Sequence, residues 1–181
     1  MSSVVATESL AWMWLLPVSW LVHDVEEILT IERWSRRSTR WVETNEISGL
    51  QRRLVDMLAT TRRQFSIAVG IVGIVFVVAT IAGVSDLTGV GILVYTAMLG
   101  GYFAHAFVHL GQSLVVRGYT PGVVTAVVVV IPASLALYRR LFSTGLVGLK
   151  TATVTGIVGV VLFVPVVVGA GRLAGRIAGE Q

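Results

Sequence analysis

A histidine and three carboxylates stand inside an apolar run: His23, Asp24, Glu26 and Glu27 within Trp20-Leu21-Val22-His23-Asp24-Val25-Glu26-Glu27-Ile28-Leu29. A second apolar run carries His105 and His109. Ionisable groups at membrane depth are costly, about 2.5–3.5 kcal/mol each on insertion scales, and usually mark a function. A helical residue advances about 100°. His23 and Glu27 then lie about 40° apart, with Glu26 about 60° to the other side of His23, so these three can converge. Asp24, about 100° round from His23, is expected to point elsewhere. His105 and His109 are one turn apart on a single face. Imidazole and carboxylate together suit zinc, iron or manganese. His23, His105, His109 and one of Glu26 or Glu27 could hold one ion, and the other Glu could then act as acid/base toward water activated by it. The pattern does not rank the two glutamates. The same groups could instead relay protons or cations, or form a buried polar network without metal. The metal reading ranks first because two carboxylates beside one His are matched by two further His.

Composition sets what must carry these residues. The chain has 181 residues, 55% hydrophobic and 13% charged, with mean hydropathy +0.82. Soluble domains carry about 25% charged residues, so the expected fold is all-α: a polytopic membrane bundle of about five spans plus one amphipathic surface helix. There is no cysteine, which excludes thiolate sites, disulfides and a catalytic thiol. Thirteen of the fourteen cations are arginines, mostly in loops. They read as orientation signals rather than a nucleic-acid surface, since no basic run is interleaved with aromatics. Neither a nucleophile elbow nor a phosphate loop is present.

The spans are expected at about 10–31, 65–84, 90–116, 123–138 and 146–170, all in one domain covering 1–181. The first, whose Trp12, Trp14 and Trp20 suit an interface, is expected to be retained, because the opening residues lack Lys and Arg and include Glu8. Pro17 is expected to kink it. Residues 32–63 form the long polar stretch, with eight arginines. In it, Ile47, Leu50, Leu54, Met57, Leu58 and Thr61 recur at helical spacing, opposite Glu46, Arg52, Arg53 and Asp56, giving a surface helix at about 45–61. That helix could equally pack on the end of the bundle. Gly156, Gly159, Gly169 and Gly171 suit close helix approach. Ala97, Gly101 and Ser19 flank the polar patches with small side chains, leaving room for close approach or a cavity. With the N-terminus outside, eleven cations fall inside and three outside, which fixes the expected orientation. Both polar patches then lie at similar depth, nearer the cytoplasmic face.

These residues resemble a known family. Leu16-Pro17 followed by His23-Asp24-Val25-Glu26-Glu27 is similar to the signature of the HXXEE-domain family of small prokaryotic membrane proteins. His109 followed by Arg117-Gly118-Tyr119-Thr120-Pro121-Gly122-Val123-Val124-Thr125-Ala126 is similar to its later motif, and Phe65-Ser66-Ile67-Ala68 to the start of its second span. The resemblance covers roughly residues 12–132. It implies a prokaryotic cell-membrane protein regarded as enzymatic, with the pattern carried by His23, Glu26, Glu27 and His109. The family's second motif is Asn-x-x-x-His, and here His105 stands at the Asn position.

The resulting expectation is a metal-dependent membrane enzyme acting on a lipid or other hydrophobic small molecule near the cytoplasmic leaflet, a hydrolase or an oxidoreductase. Zinc or iron would be held by His23, Glu26, Glu27, His105 and His109, with Glu26 or Glu27 as acid/base. Tyr119, with Arg52 or Arg53, would meet a polar head group. Membrane lipids are the expected partners, nucleic acid is not, and a homodimer is compatible. The alternatives are a proton- or cation-conducting protein using the same cluster, and a non-catalytic protein with a structural polar network.

Overall fold

The structure is a computed structural model and describes residues 10–44 and 47–179. Glu8, used in reading the first span, and Glu46, on the polar face of the expected surface helix, lie outside the described residues. The protein is an all-helical bundle. A tight turn of 3₁₀ helix, Leu10–Trp14, leads into α1, Leu15–Thr44. Then come α2, Gly49–Leu58, α3, Arg62–Ser85, and α4, Val90–Val116. A short helical turn α5, Val123–Thr125, runs through a π-helical stretch, Ala126–Val130, into α6, Ile131–Ser143, and α7, Leu149–Ala178, closes the chain.

Among the described residues, four segments are long and apolar enough to cross a membrane: Arg62–Ser85, Val90–Val116, Val123–Ser143 and Leu149–Ala178. This is a membrane protein. α1 differs, because His23, Asp24, Glu26 and Glu27 interrupt its apolar run. It also does not stop near Ile31. It continues for another three turns through the arginine-rich segment to Thr44, with Ile31, Trp34, Ser38 and Val42 keeping one buried face. Pro17 falls in the first turn of α1, where no backbone donor is needed.

Local chemistry sets the other ends. Ser48 and Gln51 form a reciprocal capping box at α2. Thr61 caps α3 by accepting from the Gln64 N–H. Arg117 ends α4 in the left-handed conformation, and Gly118 N–H returns to the Ser113 carbonyl. Asp86 accepts from Gly89 N–H at 2.8 Å and Gly91 N–H at 3.0 Å, which ties the α3–α4 turn. The Gly91 and Gly89 N–H groups hold its carboxyl below the usual carboxylate range.

The bundle packs α4 along α7 and α3, with α1 against α3 and the π-helical stretch. An added Cβ on Gly100 would lie 2.3 Å from Gly156 Cα, and one on Gly159 would lie 1.8 Å from the Ala97 carbonyl oxygen. Only glycine permits that approach. Gly169 and Gly171 meet nothing within 4 Å, so they have no such role. Ala97 and Gly101 thus serve the α7 contact rather than an approach to α1. Between α1, α3 and α4 the space is filled: Trp20 stacks on Phe76 at 5.2 Å and Phe76 meets Tyr102 edge-on at 5.4 Å. α2 packs on the arginine-rich end of the bundle. Val55 is buried against Trp34 and Val42, and Gln51 donates to the Val115 carbonyl at 3.0 Å. Leu50 and Met57 remain exposed.

Candidate metal centre

α1 and α4 bring the two polar patches into contact. His23 Nε2 stands 3.3 Å from His109 Nε2, and His109 Nε2 stands 2.8 Å from His105 Nε2. Glu27 Oε1 is 3.5 Å from His109 Nε2. His23, Glu27, His105 and His109 each offer one ligand atom, all within 4.8 Å of one another, and this group could hold a metal ion. His23, Glu27 and His109 are buried and His105 is half-buried. Two ligands about 2.0–2.1 Å from a tetrahedral ion stand roughly 3.3 Å apart, which the His23–His109 pair matches, while the His105–His109 pair at 2.8 Å is closer.

The other ring nitrogens fix which atoms face the centre. His109 Nδ1 lies 2.9 Å from the Pro121 carbonyl oxygen, which can only accept, so Nδ1 carries the proton. His23 Nδ1 lies 2.8 Å from Thr125 Oγ1. That hydroxyl donates its own proton to Glu26 Oε2 at 2.6 Å, and therefore accepts from His23. The network thus assigns both Nε2 lone pairs to the same point. Facing lone pairs repel unless a cation stands between them. Ligating histidines are commonly oriented by hydrogen bonds at the far nitrogen.

Glu26 is turned away from the group. Its Oε2 also accepts from the Thr125 N–H at 2.7 Å, and its Oε1 accepts from the Tyr119 hydroxyl at 2.7 Å. Three donors leave it an ionised carboxylate that holds Thr125, and through Thr125 the ring of His23. The two glutamates that the pattern left unranked therefore stand apart: Glu27 at the centre, Glu26 behind it. Asp24, expected to point away, is buried with its carboxyl against that of Glu27. Its Oδ2 has no partner among the described residues. Tyr119 is exposed on its outer side and also meets Thr30 at 3.2 Å. Burial pushes its phenol up to about 12. Arg52 reaches the Val42 carbonyl rather than the centre.

The turn after α4 supplies residues that residue types alone did not flag as part of a site. Gly122 has φ +81°, and an added Cβ would lie 2.7 Å from His109 Cε1, 2.8 Å from Glu27 Oε1 and 2.9 Å from His23 Cε1. It closes the centre from one side with bare backbone. Trp34 donates to the Tyr119 carbonyl at 2.7 Å, and Ser113 pairs with Thr120 at 2.7 Å, so the turn is anchored to both helices. The signal for Pro121, Gly122 and Thr125 was their place in the stretch that resembles the family's later motif, which assigned them no role at the centre.

Fold and site define a helical membrane protein with a buried His/Glu centre able to hold a metal ion. The chain belongs to the family described as "Protein of unknown function with HXXEE motif", which it matches over residues 14–137. That range holds every residue of the centre and ends before α7. No curated protein and no solved structure matches the chain.

Proposed function

We propose that the protein is a metal-dependent membrane enzyme acting on a lipid or other hydrophobic small molecule. The observation that carries this reading is the convergence of three imidazole Nε2 atoms, two with their Nδ1 positions committed elsewhere. His23, His105 and His109 hold the ion, with zinc or iron fitting the donor set. A three-imidazole set leaves a position open, as a catalytic site requires. Such an ion supplies Lewis-acid polarisation of a substrate oxygen or activation of water. Glu27, with Oε1 at the edge of the three rings, is the acid/base that moves a proton there. Glu26 positions His23 through Thr125. Gly122 and the buried α1–α4 core keep bulk water from that side.

Orientation follows the arginines: N-terminus outside and the centre toward the cytoplasmic leaflet of a prokaryotic cell membrane. Tyr119, exposed beside Glu26, is placed to meet a substrate's polar head. The test is metal analysis of gently purified protein beside His23→Ala and His109→Ala. About one ion per wild-type chain, lost in both variants, supports the reading. A metal-free wild type sinks it.

One observation favours a second reading. Tyr119, Glu26, Thr125, His23, His109 and His105 form a continuous line of polar contacts, in which the His23–His109 step becomes a hydrogen bond once either ring takes up a proton. It could conduct protons. Proton flux in proteoliposomes that needs Thr125 but no metal would favour conduction over catalysis.

A further inference from the structure

Asp24 has no task in the chemistry described so far. It lies one helical turn beyond Trp20, which stacks on Phe76 of α3 at 5.2 Å. Only 6% of Asp24 is exposed, and its carboxyl stands against that of Glu27, one turn further along. The neighbouring helices supply no counter-charge there. α3 carries no charged residue between Arg63 and its last residue, Ser85, and α4 carries no Lys or Arg at all. Tyr102 of α4 is fully buried, with Phe76 edge-on at 5.4 Å and the His23 ring at 6.4 Å. Its hydroxyl lies beside Ser19 and within reach of the charges of Asp24 and Glu27. The Ser19 hydroxyl donates elsewhere, to the Leu16 carbonyl at 3.0 Å. Neither the Tyr102 hydroxyl nor Asp24 Oδ2 has a hydrogen-bond partner among the described residues.

Buried side-chain oxygens nearly always have a partner, and an exception calls for an ion or a water. Two buried carboxyls in contact need either a shared proton or a cation. A proton between Asp24 and Glu27 would join the two carboxyls and still leave the Tyr102 oxygen unpartnered. A cation answers all three groups, because it neutralises the carboxylates and takes a lone pair of the phenol. The donors here are all oxygen, unlike the imidazole set of the centre. Oxygen donors select hard ions such as magnesium and manganese.

We propose that Asp24, Glu27 and Tyr102 form a second cation site, for a hard divalent ion, adjoining the three-imidazole group through Glu27. Its role rests on the metal-enzyme reading: the ion holds Glu27 in place, with Oε1 3.5 Å from His109 Nε2. The site itself stands without that reading. Manganese is held more loosely than zinc by a given donor set, so this ion exchanges during purification and is added back.

The experiment adds manganese(II) to the purified full chain in phosphatidylcholine nanodiscs, loaded with zinc and freed of excess metal. Electron paramagnetic resonance separates free from bound manganese, and zinc is measured on the same preparation. The wild type should bind about one manganese per chain with its zinc unchanged. Asp24→Asn should weaken manganese binding at least about tenfold and keep its zinc. Tyr102→Phe keeps the buried ring and every charge, and should weaken manganese binding about three- to tenfold with zinc unchanged. That variant decides the matter if Asp24→Asn does not fold. Manganese bound equally by the wild type and the variants is an adventitious ion only, on surface carboxylates, and overturns the proposal. A wild type that binds no manganese overturns it too, and leaves a proton shared between the carboxyls. Manganese binding that depends on Asp24 in a protein that takes up no zinc would leave this site standing while the metal-enzyme reading failed.

Discussion

Gly122→Ala probes the centre with the smallest possible perturbation, one methyl group. Two costs add. At φ +81° an alanine is strained by about 1–2 kcal/mol. Its Cβ would also stand 2.7–2.9 Å from His109, Glu27 and His23, where ordinary contact begins near 3.4 Å. Each of these groups must retreat by about 0.5–0.7 Å, whereas metal–ligand distances hold to about ±0.2 Å. His23 and His109 cannot both keep their positions. The expected loss of metal affinity is about 100-fold, or about 2.8 kcal/mol. Competition against a chromogenic chelator in detergent measures it. Gly118→Ala, in the same turn with nothing within 4 Å, is the control and should bind as wild type. If Gly122→Ala binds metal as tightly as wild type while melting lower, the turn is a structural cap and the steric reasoning fails.

Other outcomes follow from the same geometry. Thr125→Val removes the acceptor for His23 Nδ1–H and should weaken metal binding about 10- to 100-fold, while Thr125→Ser restores most of it; equal affinities by chelator competition would dismiss the positioning role. Glu27→Gln should keep the ion but lose turnover, whereas Glu26→Gln should weaken metal binding; metal analysis of both variants checks the division of roles. Gly159→Val forces α4 from α7 and should cost about 2–3 kcal/mol by overpacking, with Gly169→Val near neutral; reversible unfolding in mixed micelles reads the difference. Asp86 has a folded pKa below its unfolded value of about 3.9. Its contribution to the α3–α4 turn is therefore present above pH 4 and lost as pH falls through the lower folded value. Melting of wild type and Asp86→Asn should differ above pH 4 and converge as the pH falls through that lower folded value; a constant gap between them would contradict the assignment.

Much of the helical plan is written in hydropathy, and α4 begins and ends where Gly89 and the Arg117–Gly122 turn place it. The continuation of α1 past Ile31 was harder to see, because Glu32, Arg33, Arg36 and Arg37 suggest a loop. The buried stripe of Ile31, Trp34, Ser38 and Val42 shows that only one face left the apolar environment. At the site, angular spacing correctly grouped His23 with Glu27 but could not separate Glu26 from it. That distinction comes from Thr125, 99 residues away in sequence. Asp24 stays out of the group that could hold the ion, as its angle indicated, yet it is not turned away from the site, because its carboxyl reaches that of Glu27. Ala97 and Gly101 read as companions of α1, yet α7, outside every recognised motif, takes them.

The most direct measurement is X-ray absorption at the metal edge of the purified full-length protein in lipid. The account predicts about one ion per chain, held by three imidazole nitrogens with at least one oxygen at roughly 2.0–2.1 Å. His109→Ala should lose that signature. A wild-type protein whose metal has no imidazole in its shell, or that binds no transition metal when supplied with it, would contradict the account.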